Sequence, residues 1–173
     1  MTLTGYEMAS TVLAHVQDAL AAADRPVAGT MVAVGAMVVD NPCGGMLSVA
    51  VERVYRTTLP WPNEAVTDDE CGSNPIAVEL VVRVDRCVPI AAGPRATPPP
   101  PAQVEAAYRG LLTDGAVVWN ALTGDGVLGD DGFGDAAWVR GPVSQDFIGA
   151  EGGSIAVETR VTLGVEQDEW CVA

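Results

Sequence analysis

Residues 76–89 read IAVELVVRVDRCVP. Ile76, Val78, Leu80, Val82 and Val84 take alternate positions, with Glu79, Arg83 and Asp85 between them. A period of two puts the branched apolar side chains on one face of an extended chain and the charges on the other. This is the signature of a strand buried on one side. Pro89 closes it, because proline has no N–H for a ladder. Working outward, Leu47, Val49, Val51 and Tyr55 alternate with Ser48, Ala50 and Glu52 and predict a second half-buried strand. Met31 to Val39 is a short Val-rich run with Gly35 at its middle, read as a buried strand with a bulge or close backbone approach at the glycine. The turn chemistry of Asn41-Pro42-Cys43-Gly44-Gly45 separates these two. Near the C-terminus Trp138 and Val139 start a strand-like segment. Gly152-Gly153 then turns the chain into a last strand, with Ile155, Val157, Val161, Leu163 and Val165 on one face.

Two stretches carry the other period. In residues 4–23, Tyr6, Ala9, Val12, Leu13, Val16 and Leu20 recur at intervals of three and four, and Thr4 with Glu7 has capping-box spacing. Asp24-Arg25-Pro26 ends that helix. A second helix is predicted from about Ala102 to Leu122, with Val104, Tyr108, Leu111, Val118 and Leu122 as its apolar face and Asp114-Gly115 as a point of kinking or splitting. The polyproline-like AAGPRATPPPP of residues 91–101 leads into it, and Pro101 suits a first helical turn. The expected fold is α+β. Residues 1–173 form a single two-layer domain in the order α-β-β-β-α-β-β, a mainly antiparallel sheet with one wet face and two amphipathic helices on the other. Long loops are expected at about 57–75, 88–101 and 124–135.

Composition narrows the function classes. Hydrophobic residues make up 49% of 173, enough for one core. The balance of 9 basic and 23 acidic residues gives a net charge of −14, which repels phosphate and opposes nucleic-acid binding through a basic patch. Asp40, Glu52, Glu79 and Arg83 interrupt every apolar run before the roughly 18 residues a membrane span needs. Met1 to Glu7 lacks the basic and apolar regions of a secretory signal. The expectation is a chain made in the cytoplasm, with no membrane partner.

The chemistry-bearing residues are few. All basic residues are arginine, which removes any Walker-type lysine. His15 is the sole imidazole; it falls beside the apolar stripe of the first helix, with no Ser or Cys partner in the local pattern. Asp125, Asp130, Asp131 and Asp135 share a Gly-rich loop whose carboxylates would suit Ca²⁺, but their spacing fails the EF-hand pattern and ordinary turn chemistry accounts for them. Cys43, Cys71, Cys87 and Cys171 form no CxxC pair, so a zinc site has little support. In a reducing cytoplasm they read as free, mostly buried thiols, and a pairing of Cys71 with Cys87 in an oxidising medium is the alternative. The expectation is therefore no enzyme, no cofactor and no metal.

The stretches LTGYEMASTVLAHVQDALAAA, CGGMLSVAVERVYRTT, IAVELVVRVDRCVP, VEAAYRGLLTDGAVVWNAL and GGSIAVETRVTLGVE, taken in order, resemble the tail terminator (tail completion) proteins of long-tailed bacteriophages. The Arg- and Ala-rich composition looks like a phage of an actinobacterial host. The resemblance implies a virion protein of the tail and neck, assembled in the host cytoplasm. It would form a homohexameric ring at the head-proximal end of the tail, ending polymerisation of the major tail-tube protein and joining a head–tail stopper or connector. Genomic DNA would pass through its lumen without specific binding. Such a subunit works through strand edges and loops, so the acidic cluster Asp68, Asp69 and Glu70, the loop acids Asp130 and Asp131, and the aromatics Trp61 and Phe133 become candidate interface residues. Another stopper or neck protein, a tail-tube subunit, and a Ca²⁺-dependent binding module or enzyme are the alternative readings.

Overall fold

The computed structural model describes residues 5–35, 42–58, 63–64, 76–91, 97–124, 138–151 and 153–165. Helix α1 spans Gly5–Ala22 and α2 spans Pro101–Thr123. Among the described residues the strands are β1 (Gly29–Val34), β2 (Met46–Thr58), β3 (Asn63–Glu64), β4 (Ile76–Cys87), β5 (Trp138–Glu151) and β6 (Ser154–Val165), and a 3-10 turn covers Pro42–Gly44. The fold is α+β, in the expected order apart from the two-residue β3. The sheet runs β1-β2-β4-β6-β5, with β3 added to β2. Every neighbouring pair is antiparallel except β1 and β2, which run together from Gly29 beside Met46 to Val34 beside Val51.

Both helices pack on one face of this sheet. From α1 come Met8, Ala9, Val12, Val16 and Leu20; from α2 come Leu111, Val118 and Leu122. They meet Leu47 and Val49 of β2, the predicted alternate series Ile76 to Val84 of β4, and Ile155, Val157, Val161 and Leu163 of β6. The period-two and period-3.6 stripes converge on one contiguous core. Pro101 occupies the first turn of α2, where its missing N–H leaves no bond unmade.

Four local expectations are corrected. Tyr6 lies outside the core at 61% exposed, and Met8 fills the first turn's core position. Strand β1 is an outer strand with no buried residue rather than the buried strand expected, and it stops at Val34 rather than running through Gly35, which adopts φ +75° and so leaves the extended conformation. Residues 36–39 of the predicted strand lie outside the described residues. Tyr55 does not share a face with Leu47, Val49 and Val51, because the register against β4 shifts between Val51 and Arg53. That bulge at Glu52 reverses the alternation, so Val54 opposes Val78 on the helix side while Tyr55 opposes Ala77 on the open side. There Arg53 stacks 4.8 Å from the Tyr55 ring centre. Finally, α2 passes through Asp114-Gly115 without a break.

Gly115 is required by close approach, not by a kink. A Cβ there would stand 2.9 Å from Gln145 Oε1 and 3.0 Å from the Phe147 ring. Gln145 cannot swing aside freely, because its amide donates to the Gly115 carbonyl at 2.9 Å and to the Thr159 hydroxyl at 2.8 Å. Gly115→Ala therefore meets overpacking of about 1–3 kcal/mol, against a helix-propensity gain of about 1 kcal/mol. We expect a net loss of about 1 kcal/mol, measurable as a lower urea midpoint with an unchanged slope.

Candidate functional site

The sequence-derived interface residues Trp61, Asp68, Asp69, Glu70, Asp130, Asp131 and Phe133 all lie outside the described residues, as do Asp125 and Asp135 of the Gly/Asp loop. What the described residues bring together is a buried ionic clasp, a charged open face and two apolar flanks.

The clasp joins both layers. Asp114 of α2 is fully buried. Arg25, just after α1, donates from Nε to Oδ1 at 2.8 Å and from Nη2 to Oδ2 at 2.9 Å. Arg86 of β4 donates from Nε to Oδ2 at 3.0 Å and from Nη2 to Oδ1 at 3.2 Å. The Arg86 fork also reaches the carbonyls of Pro26 and Arg25, each at 2.8 Å. Gly45, at φ +83°, leaves the space the Arg86 guanidinium fills. Hydrogen bonding by Asp114 raises the Arg25 pKa above its already strongly basic value, outweighing its desolvation. A raised basic pKa contributes stability below the group's ordinary pKa, so this arginine holds its charge at all working pH values.

Beside the clasp, Cys43 of the 3-10 turn is disulfide-bonded to Cys87 at the end of β4, with Cα atoms 4.6 Å apart. This corrects two expectations, of free thiols at Cys43 and Cys87 and of a Cys71–Cys87 alternative. The turn hangs from the start of β2, and Met46 opposite Asp85 sets the register that carries Cys43 to Cys87. Cys71 and Cys171 lie outside the described residues.

The open face of the sheet carries a charge network. Arg83 chelates Asp85 through Nε and Nη2 and reaches Glu158 at 2.9 Å. Hydrogen bonding by Asp85, then by Glu158, raises the Arg83 pKa against its desolvation. Arg160 bridges Asp146 at 3.1 Å, Glu158 at 3.3 Å and Glu52 at 3.6 Å. These side chains narrow the expected wet face, since Ser48, Ala50, Ala77, Val81, Asp85 and Ala156 beneath them are buried. Their arginines are paired with acids, which fits a solvated structural network better than an anion site. Among the described residues no group of three or more His, Cys, Asp or Glu side chains is placed to hold a metal ion. His15 is half-buried and lines a shallow groove between the helices with Ala19, Ala22, Val117 and Ala121.

Two apolar flanks lie outside the core, and they correct a further expectation: Tyr108, placed by its spacing on the core face of α2, is exposed instead. Along α2, Tyr108, Leu112 and Trp119 are 38%, 57% and 38% exposed, and Phe147 of β5 is 49% exposed beside Gly115. At the other end of the sheet Tyr6, Val34 and Val54 are exposed. A signal existed. Positions 108, 112 and 119 form a stripe adjoining the core stripe 104, 111, 118 and 122, making α2 apolar over a wider arc than one packed face needs.

Compared with protein-family models and with curated proteins, the chain matches none. Among the described residues no helix is long and apolar enough to cross a membrane. Among the described residues, fold and surface together define an α+β domain with exposed apolar flanks at two sheet edges.

Proposed function

We propose that this chain is a structural ring subunit at the head-proximal end of a long phage tail. In that place it ends tail-tube polymerisation and joins the tube to the neck. The observation carrying this reading is the pair of outer strands, β1 and β5, at opposite ends of one sheet, each accompanied by exposed apolar side chains. Contiguous exposed apolar surface marks association, and a subunit with two different sticky sides assembles head to tail into a ring when the rotation closes. The resemblance in element order supplies the phage tail as context. The net charge of −14 fits a channel for DNA, because a ring of acidic copies repels passing phosphates and keeps the genome from adhering.

The partners under this reading are further copies of the chain, the tail-tube subunit below and a stopper or connector above, with DNA crossing the lumen. Native mass measurement, alone and with purified tail tubes, tests it. A hexamer in solution or on tube ends is the expected result. A monomer that ignores tubes at every concentration contradicts it.

A further inference from the structure

The geometry points to a specific subunit contact, which rests on the ring reading: the β5 flank of one copy receives the β1 flank of the next, continuing the sheet across the boundary. Three observations select a second copy as the occupant.

The first is position. On α2, Tyr108, Leu112, Gly115 and Trp119 fall within roughly 60° of one another at about 100° per residue. Gly115 touches Phe147, so this stripe overhangs β5. Val117 and Ala121 look the other way, into the groove shared with α1. On α1, His15 faces that groove and Tyr6 sits about 180° around the helix from it. Gly5 lies against Val51, whose β1 neighbour is Val34, so Tyr6 and Val34 share the β1 end. Both apolar groups stand on the helix side of the sheet, and a sheet continued from β5 into a neighbour's β1 brings them together.

The second is direction. Strand β1 runs with β2, and the antiparallel steps through β4 and β6 leave β5 opposed to it. A neighbour with the same up and down therefore presents β1 antiparallel to β5, the more stable ladder.

The third is charge. A partner carrying the same −14 is repelled by most of this surface. The flanks carry less of that charge. Strand β1 reads GTMVAV, with no charged residue; Asp146 of β5 lies 3.1 Å from Arg160, which it shares with Glu158 and Glu52; and Glu105 and Arg109 beside the α2 stripe hydrogen-bond to each other. An uncharged flank meets one whose acids have arginine neighbours.

The test uses one substitution per flank, Val34→Glu and Leu112→Glu, at positions 80% and 57% exposed, so the fold has little at stake. Circular dichroism and thermal melts check folding, and Val34→Thr with Leu112→Gln serve as uncharged controls. Native mass is read in solution, or on tail tubes if the unmodified chain closes rings only there. Each glutamate variant alone should associate about a hundredfold more weakly than the unmodified chain. An equimolar mixture should form one-to-one dimers and stop, because one intact pair of flanks remains. Assembly of either variant at unmodified strength overturns the flank contact and leaves the ring reading standing on other surfaces. A homodimer of one variant also overturns it, since it signals a self-complementary contact. A monomeric unmodified chain, both free and with tubes, overturns contact and ring together.

Discussion

Replacing Asp114 with alanine lowers the free energy of unfolding by about 3 kcal/mol, the low end for breaking a buried ion pair. The value rests on asymmetry. A carboxylate with no exposure accepts four hydrogen bonds from two guanidinium forks, and its removal leaves Arg25 and Arg86 facing each other without the charge between them. Their side chains are 31% and 16% exposed, so water partly rescues them and the cost stays below the upper range. Asp114→Asn keeps one acceptor oxygen and should lose less. The effect also reaches across the fold, because the clasp is where α2, the exit of α1 and the end of β4 meet. Denaturant titration checks it. A loss under 1 kcal/mol would mean that the clasp contributes no more than an exposed pair.

The second large effect belongs to the disulfide. Cys43–Cys87 closes a loop of 44 residues, and the chain-entropy relation assigns such a closure about 4 kcal/mol at 25 °C. The β2–β4 register already holds the two Cα atoms 4.6 Å apart, so the native state is set up for the link and the gain comes from constraining the unfolded chain. Reductant, or Cys87→Ser, should lower stability by about that amount, with a rise in denaturant slope as the freed chain exposes more surface. Non-reducing peptide mapping should recover one fragment containing both cysteines. Identical unfolding with and without reductant would refute the prediction.

The elements were legible because two periods were clean. The alternation from Ile76 to Val84 and the three-four spacing from Ala9 to Leu20 each meet a single demand, burial of one face. Strand order was not legible, since nothing local states that β6 comes between β4 and β5. The reversal at Glu52 was hidden for a related reason: a bulge adds a residue without altering composition, and Tyr55 continues an apparently regular alternation. The clasp depends on partners separated by 89 and 28 residues, and an Asp-Gly pair inside a helix reads as a weak point until both arginines are in place. Four cysteines permit several pairings that spacing does not rank. On α2 the broad apolar arc was present in the sequence, but its division into a core face and an overhang above β5 appears only when the strand beneath it is known.

Whether the chain forms a ring that ends a tail tube is decided by polymerising tail-tube subunits with and without it and imaging the tubes. Growth should stop once the chain is present, and one end of each tube should carry a ring with an axial channel. Tubes that grow to the same lengths with bare ends, at chain concentrations matching the number of tube ends, would contradict it.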